Sequence, residues 1–190
     1  MLKSEFIERF QHIATIPHAP DFPLRHKGKP AAVLIPIVMR DELQVLFTKR
    51  ATHLKHHAGQ VSFPGGRWET SDESLIHTAL RETEEEIGIT SEKIEILGQL
   101  PKFRTISRYE VSPIIGFVEP DFEFQIDPNE VDDLFEVPLS FLMNMDNFHI
   151  HWVVRSDTAQ PVFFVPWQQE LIWGATAAFL HTLGSHINKY

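Results

Sequence analysis

The sequence of 190 residues contains no cysteine at all. This absence excludes disulfide bridges, thiolate metal sites and a cysteine nucleophile. The first residues also lack the unbroken apolar run of a signal peptide, and nowhere do about 18 consecutive apolar residues predict a membrane span. We therefore expect a cytoplasmic protein without a membrane partner.

Positive charge is scarce as well. The chain has 17 Lys and Arg against 26 Asp and Glu, for a net charge of -9. This balance argues against a general surface that attracts nucleic acid, so no nucleic-acid partner is expected. An acidic protein can still bind phosphate compounds where divalent cations reverse the local field. Clusters of carboxylates are therefore the candidate sites.

The composition predicts one globular domain over residues 1–190. A hydrophobic fraction of 43% and 15 phenylalanines are typical of a folded core, and the length suits one domain. Residues 1–30 are interpreted as an N-terminal helix, with Ser4 as its cap, followed by a proline-rich connection. The apolar stripe and the prolines are Phe6, Ile7, Phe10, Ile13 and Ala14, then Pro17, Pro20, Pro23 and Pro30.

Strand signals outnumber helix signals in the rest of the chain. Strands are predicted at 31–39, 43–49, 60–63, 94–97, 108–118, 122–126, 149–155 and 162–165. Asp41 and Glu42 should join the first two in a hairpin. Helices are predicted after Thr70, from Ser140 to Asn144 and from Glu170 to Ile187. The predicted fold is α+β or α/β, with a mixed sheet sandwiched between helices.

The middle helix has the clearest pattern. Thr70 and Glu73 have the spacing of a capping box, and Gly88 is the expected end. One apolar face should contain Ile76, Ala79, Leu80, Thr83 and Ile87.

Three carboxylates share another face of this helix. At roughly 100° per residue, Glu82, Glu85 and Glu86 fall within about 100° of arc, whereas Glu84 points away. Such like charges repel one another unless a cation lies between them. Oxygen donors suit a hard divalent ion, so Mg²⁺ or Mn²⁺ is the predicted cofactor.

Neighbouring residues complete the expected site. Arg81 lies four residues before Glu85 and eight after Glu73, so ion pairs to both are predicted to orient the helix face. Gly65 and Gly66 have no side chain, and the backbone there can approach a phosphate or a metal closely.

The string from Phe63-Pro64-Gly65-Gly66 to Arg81-Glu82-Thr83-Glu84-Glu85-Glu86-Ile87-Gly88 resembles the Nudix box. That pattern is Gly, five residues, Glu, seven residues, then Arg-Glu-apolar-x-Glu-Glu-x-Gly-apolar. Counting back from Arg81 places the first Glu at Glu73. Gly66 is then one residue too far, which predicts one extra residue in the loop, and Thr83 replaces an apolar residue.

The resemblance implies the Nudix fold and hydrolysis of a nucleoside diphosphate linked to another group, an acid anhydride of phosphorus. It implies Glu82, Glu85 and Glu86 as metal ligands, with Glu82, Glu85 and Arg81 as the catalytic residues. Which carboxylate activates water stays open. Glu130 is a rival base, because some members of the family take theirs from outside the box; otherwise it is a turn acid.

Upstream residues resemble the coenzyme A pyrophosphatase subgroup. They are Leu46-Phe47-Thr48-Lys49-Arg50, Lys55, Gly59 and Phe63 to Gly66, together with Ile172 to Ala177 near the end. Ala51 and Lys55 stand where the subgroup generally has Ser or Thr and a second Arg. The resemblance implies cleavage of coenzyme A to 3′,5′-ADP and 4′-phosphopantetheine. It also implies Arg50, Lys55, Gly65 and Gly66 as substrate-binding residues.

Two other functions stay open, although the intact Arg81, Glu82, Glu85 and Glu86 count against the second. One is a Nudix hydrolase for ADP-ribose, a dinucleoside polyphosphate or an oxidised nucleotide, and the other is a non-catalytic module that senses a nucleotide. His53, His56 and His57 suggest a metal site, but their spacing favours a solvated loop. Base stacking competes with a core role for the aromatic residues Trp152, Phe163, Phe164 and Trp167, and the sequence favours the core.

Overall fold

The computed structural model describes residues 1–11, 28–155 and 158–189. Its helices are α1 (Lys3–Gln11), α2 (Leu75–Ile87), α3 (Leu139–Met143) and α4 (Gly174–Ile187). Its strands are β1 (Lys29–Val38), β2 (Gln44–Arg50), β3 (Val61–Ser62), β4 (Gly65–Arg67), β5 (Ile94–Gln99), β6 (Phe103–Arg104), β7 (Tyr109–Val118), β8 (Val131–Pro138), β9 (His149–Arg155), β10 (Thr158–Trp167) and β11 (Glu170–Trp173).

Strands β1 and β7 form the centre of the main sheet. They pair in parallel without a break from Lys29 and Tyr109 to Val38 and Val118, and their other neighbours run antiparallel. Both strands are almost continuously apolar and buried, as expected when both faces of a sheet are covered.

Two separate cores cover the two faces of this sheet. On one face, Leu34 packs in a cluster with Ala79 and Ile87 of α2. On the other face, Ile35 belongs to a larger cluster that includes residues of α1, α3 and α4, such as Phe6 and Leu183. The predicted mixed sheet between helices is therefore confirmed.

The sheet opens at one end because β1 and β2 separate. They pair only at Ile37 with Val45 and at Val38 with Gln44, which confirms the predicted hairpin. Farther along, β3 pairs with β2 and β4 pairs with β1, so residues 61–67 fill the gap between the diverging strands. We call this segment the glycine wedge. The opposite edge of β2 is covered by β8.

Strands β9, β10 and β11 form a second, antiparallel sheet. The inner residues Phe163, Val165 and Ile172 pack in the larger core together with α4. An ion pair of 2.7 Å between Lys49 and Glu170 links this sheet to β2.

The predicted strand at 122–126 is wrong. The backbone there lies outside the sheet, and Gln125 N–H donates to Ile87 O while Asp127 N–H donates to Glu86 O, each at 3.0 Å. The apolar alternation instead places the Phe122 and Phe124 rings against each other, with centroids 4.8 Å apart. This segment therefore caps the end of α2.

The predicted starts of three helices also need correction. Residues 170–173 are strand β11, and the last helix begins only at Gly174. Ser140 and Ser4 lie inside α3 and α1 and do not cap them, and the Ser140 hydroxyl donates to the Glu42 carboxylate.

Strands β4, β6, β8 and β11 were not predicted, since they are short or carry charged residues. The predicted helix positions Ile13 and Ala14 and the predicted connection at Pro17, Pro20 and Pro23 lie outside the described residues. Within the described part of the chain, no helix is long and apolar enough to cross a membrane.

Candidate active site

Helix α2 is fixed at both ends by local hydrogen bonds. Ser74 has an extended backbone, and its Oγ accepts from His77 N–H at 3.1 Å. At the other end Gly88 adopts a φ of 78°, and its N–H donates to Glu84 O. The capping box at Thr70 and Glu73 is therefore wrong, because the helix begins after Ser74.

The inward face of α2 is close to the prediction, with one difference. Ile76 is exposed, since the helix begins only one residue before it. Thr83 replaces the apolar residue of the box but is fully buried, and its hydroxyl donates to Ala79 O at 2.6 Å. A buried threonine is tolerated here because the helix itself satisfies the hydroxyl.

Arg81 is held by a buried acid that the sequence reasoning missed. Its Nε donates to Asp72 Oδ1 at 2.9 Å and its Nη2 to Asp72 Oδ2 at 3.0 Å. Glu69 N–H and the Thr78 hydroxyl also donate to Asp72 Oδ2, each at 2.9 Å. The Arg81 hydrogen bonds hold the pKa of this carboxyl far below its usual value. The predicted pair of Arg81 with Glu73 is wrong.

This contact also changes where the one extra residue lies relative to the box pattern. Five residues separate Gly66 from Asp72, the spacing that the box gives to its first acid. The extra residue therefore lies between Asp72 and Arg81, not in the loop before Glu73. Counting forward from Gly66, instead of back from Arg81, would have identified Asp72 as the first acid of the pattern.

The same guanidinium contacts two of the predicted ligands. Arg81 Nη1 lies 2.9 Å from Glu85 Oε2 and 3.1 Å from Glu82 Oε1. The Glu82 side chain is 15% exposed and that of Glu85 is 60% exposed. Burial raises the pKa of Glu82, although the neighbouring Arg81 opposes that rise.

Glu86 lies beneath the other carboxylates and is almost fully buried. Its Oε2 accepts from Gly65 N–H at 3.3 Å. Burial raises the pKa of Glu86 to about 8, and the charges of Glu130 and Glu82 add to the rise, while Arg50 opposes it. The carboxylates that the sequence placed on one face thus differ strongly in depth.

The two glycines are required by close packing. A Cβ at Gly66 would overlap the Glu82 carboxylate. Gly65 has a φ of 153°, and a Cβ there would overlap Ala32 O and lie 2.6 Å from Val33 Cα. The glycine wedge therefore brings bare backbone against the acidic helix.

In the described ranges 1–11, 28–155 and 158–189, no three His, Asp or Glu side chains are close enough to form a ready metal site. Arg81 instead occupies part of the space between Glu82 and Glu85. The donor set still suits a hard cation, because the pKa values of the partly buried Glu82 and the buried Glu86 are both raised.

A cavity of about 930 Å³ opens above the glycine wedge. It brings together the predicted residues Arg50, Lys55, Gly65, Gly66 and Glu82. Arg81, Glu85 and Glu86 do not line it, and they lie behind or beside Glu82 on the helix. Five of the eight predicted site residues therefore share one cleft.

Arg50 is directed by an irregularity in the sheet. The register between β2 and β8 shifts between Lys49 and Arg50, which pair with Asp133 and Val131. Such bulges turn a side chain out of the regular alternation. Arg50 Nε is buried without a hydrogen-bond partner. The next residue, Ala51, is fully buried, and its N–H donates to Glu130 O at 2.9 Å.

Glu130 lies just before β8 and lines the cavity. Its charge raises the pKa of both Glu82 and Glu86, so the three acids form one electrostatic group. The structure therefore places the rival base beside the predicted carboxylates. Its backbone also makes the turn expected of the alternative interpretation, since Glu130 N–H donates to Asp127 O.

The histidines lie in the predicted loop between β2 and β3. His56 and His57 line the cavity, whereas His53 is exposed and does not. Among the aromatic residues, Phe163 is buried as predicted, but Trp152 is 60% exposed, so its assignment to the core is wrong. None of the four aromatic candidates lines the cavity.

The opposite wall of the cavity was not anticipated from the sequence. Thr105, Ser107 and Tyr109 line it, and the Arg67 guanidinium lies over the Tyr109 ring at 5.5 Å. No motif marks these residues, and only the pairing of β7 with β1 brings them to the cleft.

Residues 28–157 match the NUDIX domain family. The chain is 40% identical over 184 residues to a protein of Photorhabdus laumondii named "Uncharacterized Nudix hydrolase NudL", covering 97% of each chain. A Yersinia pestis protein of the same name is 40% identical over 191 residues, covering 97% of this chain and 94% of that protein.

Two solved structures are similar in fold. A C. elegans Ap4A hydrolase in a binary complex has a TM-score of 0.50 and 19% identity, covering 58% of this chain and 80% of that one. A MutT protein from Methanosarcina mazei Go1 has a TM-score of 0.50 and 23% identity, covering 65% and 86%.

Proposed function

Because this chain belongs to the Nudix family, whose hydrolases act on nucleoside diphosphate derivatives, we propose that it hydrolyses the pyrophosphate bond of coenzyme A or its derivatives in the cytoplasm. The products would be 3′,5′-ADP and 4′-phosphopantetheine. One observation carries the choice of substrate. Arg50 and Lys55 line the same cavity as Gly65, Gly66 and Glu82.

The charges of the cleft match the charges of coenzyme A. A 3′-phosphate accompanies the pyrophosphate in this substrate, so it needs cations outside the catalytic centre. Arg50 has a buried Nε without a partner, and an anionic group would supply the missing acceptor. Lys55 adds a second positive charge on the adjacent loop, although without the two-pronged geometry of arginine.

Glu82, Glu85 and Glu86 would hold Mg²⁺ or Mn²⁺ in this proposal. The raised pKa values of Glu82 and Glu86 support it, since buried like charges are relieved by a divalent cation. Such an ion would supply Lewis-acid stabilisation of the charge on the phosphates and would make water a stronger nucleophile at neutral pH.

The protein's own groups orient the reaction. Arg81, fixed by Asp72, holds Glu82 and Glu85 in place by the contacts described above. Gly65 N–H fixes the Glu86 carboxylate. The bare backbone at Gly66 leaves room for the pyrophosphate beside Glu82. One of the carboxylates Glu82, Glu85 and Glu130 would take the proton from the attacking water.

The test is a product-resolved assay of purified protein with Mg²⁺ or Mn²⁺. Coenzyme A, dephospho-coenzyme A, ADP-ribose and a dinucleoside polyphosphate should be compared at equal concentration. We expect the highest kcat/KM for coenzyme A, with both products formed in equal amounts. A clear preference for ADP-ribose or the dinucleoside polyphosphate would overturn the substrate proposal.

A matched pair of variants separates catalysis from a sensing role. Glu82→Gln should abolish turnover, whereas Glu84→Gln, the same change on the exposed side of α2, should not. Chelation by EDTA should stop the wild-type reaction, and added Mg²⁺ should restore it. A wild-type protein that binds coenzyme A with metal but cleaves none of the four compounds would instead be a nucleotide sensor.

A further inference from the structure

The cavity has two ends with different chemistry. At one end are Arg50 and the loop residues Lys55, His56 and His57, which we call the cationic end. At the other are Thr105, Ser107 and Tyr109, which we call the hydroxyl end. The glycine wedge and Glu82 lie between them.

The two ends are too far apart to share one small group. Arg50 ends β2 and Tyr109 begins β7, and between them lie β1 and the glycine wedge, whose strands β3 and β4 pair with β2 and β1. A ligand that contacts both ends must therefore extend to both sides of the pyrophosphate site.

The charges set the direction in which such a ligand lies. At the cationic end, Arg50 and Lys55 line the cavity together with one acid, Glu130, and the Asp132 carboxylate accepts from Thr52 N–H at 2.8 Å at the start of the same loop. At the hydroxyl end, one cation and one acid line the cavity, Arg67 and Glu69, and the Arg67 guanidinium lies over the Tyr109 ring. A 3′-phosphate is therefore drawn to the cationic end, and the uncharged part of the substrate to the hydroxyl end.

The hydroxyl end also has free hydrogen-bonding capacity. Thr105 Oγ1 and Ser107 Oγ lie 2.8 Å apart, and Tyr109 N–H donates to Thr105 Oγ1 at 3.2 Å. A hydroxyl has one donor and two acceptor positions. Whichever hydroxyl donates to the other, Ser107 keeps a lone pair that can accept from an amide N–H.

Apolar surface lies next to these hydroxyls. Val33 and Val111 line the cavity beside Tyr109. A chain that alternates amides with methyl and methylene groups would satisfy both kinds of surface. The pantetheine arm of coenzyme A has this composition and carries no charge beyond its phosphate.

We propose that Thr105, Ser107 and Tyr109 form the subsite for the uncharged amide-containing arm on the second phosphate, while Arg50 and Lys55 bind the nucleotide half. This subsite rests on the proposed function, because it assigns the two halves of that substrate to the two ends of the cleft. It makes the turn at residues 105–109 a determinant of specificity for the pantetheine half of the substrate.

The experiment measures the binding of the two product halves separately by titration calorimetry with Mg²⁺ present. The ligands are 4′-phosphopantetheine and 3′,5′-ADP. Ser107→Ala should lower the affinity for 4′-phosphopantetheine by about fivefold, because one hydrogen bond is lost. The affinity for 3′,5′-ADP should not change. Ser107→Tyr fills the subsite, so it should lower the affinity for 4′-phosphopantetheine further.

Two control variants fix the interpretation. Lys55→Ala should lower the affinity for 3′,5′-ADP and leave the affinity for 4′-phosphopantetheine unchanged. Ile106→Ala lies on the same turn but is exposed and outside the cavity lining, so it should change neither affinity. Equal effects of the Ser107 variants on both ligands, an effect on 3′,5′-ADP alone, or no binding of 4′-phosphopantetheine would overturn the subsite.

Different results would contradict the subsite and the proposed function. If the wild type cleaves coenzyme A but the Ser107 variants bind 4′-phosphopantetheine normally, the subsite is wrong and the proposed function stands. If 4′-phosphopantetheine binds in a Ser107-dependent manner but coenzyme A is not cleaved, the subsite stands and the proposed hydrolysis is wrong.

Discussion

Arg81 donates two hydrogen bonds to the buried carboxylate of Asp72, from Nε at 2.9 Å and from Nη2 at 3.0 Å. The same guanidinium contacts Glu82 and Glu85. The position of the acidic helix face therefore depends on an acid that precedes the helix.

Replacing Asp72 tests this dependence. Asp72→Asn removes the buried one of the charged partners of Arg81, and we expect the free energy of unfolding to fall by about 3 kcal/mol, as when one member of a buried pair is removed. Turnover should fall too, since Arg81 no longer fixes Glu82. Urea unfolding at pH 7 and an activity assay measure the two effects.

The matched control is Glu73→Gln, one residue along the chain. Glu73 is exposed, so this variant should unfold as the wild type does. An equal loss of stability in both variants would contradict the assignment of Asp72. The Arg81 hydrogen bond lowers the pKa of Asp72 below its ordinary 3.8. The stability difference should therefore persist above that pH and shrink as the pH falls below it.

The buried carboxyl of Glu86 predicts an opposite pH dependence for metal-free protein. Burial, together with the charges of Glu130 and Glu82, raises the pKa of Glu86 from 4.5 to about 8, against the opposing effect of Arg50 and Gly65 N–H. Between these values the folded protein keeps a proton that the unfolded chain releases. Stability should therefore fall as the pH rises through this range.

Glu86→Gln isolates this effect. In EDTA, the variant should melt at a higher temperature than the wild type at pH 8, and the two should converge near pH 4.5. Thermal unfolding across this range gives the comparison. Melting curves whose difference does not change with pH would mean that Glu86 titrates normally.

A methyl group at Gly66 should block the site without unfolding the protein. The Cβ would overlap the far end of the flexible Glu82 side chain. This side chain can rotate to avoid the overlap, but its carboxylate then leaves its place in the site. We expect Gly66→Ala to lower kcat/KM by about 100-fold, the scale of a displaced catalytic group. Its melting temperature should change little.

Gly65→Ala serves as the contrast to that variant. There the overlap is with the backbone of Ala32 and Val33, which cannot move aside, so stability itself should fall. If Gly66→Ala lost stability as severely as Gly65→Ala, the overlap with Glu82 would not explain the loss of activity.

Lys55 should distinguish substrates by their 3′-phosphate. Lys55→Ala should raise KM for coenzyme A by about tenfold, the value of a charged hydrogen bond, and leave KM for dephospho-coenzyme A unchanged. Lys55→Arg should retain or improve the preference for coenzyme A, because its fork suits phosphate. Steady-state kinetics on both substrates gives the ratio. An equal rise for both substrates would place the 3′-phosphate elsewhere.

Periodicity predicted the sheet and the main helix because both carry strong apolar patterns. The parallel pairing of β1 with β7 buries both strands, and their apolar runs were visible in the sequence. The segment 122–126 has a similar pattern, yet its N–H groups bond to the end of α2. Local alternation does not reveal which partner satisfies a backbone.

The site was predictable where a motif fixes spacing along a helix, and not elsewhere. Arg81, Glu82, Glu85 and Glu86 lie on α2 as expected. Asp72 escaped prediction because a longer acid, Glu73, stands beside it and fits the count back from Arg81. Ser107 and Tyr109 escaped because only tertiary pairing places their turn at the cleft.

The long parallel pairing of β1 with β7 has a consequence for folding kinetics. Ala31 meets Val111, and the glycine wedge and α2 both lie within the loop that this pairing closes. Closing so long a loop is slow, because its entropy is lost before the contacts form. Because α2 precedes β7 in the chain, the acidic helix emerges from the ribosome well before the strand that completes its sheet. Assembly of the cleft must wait until β7 has left the exit tunnel.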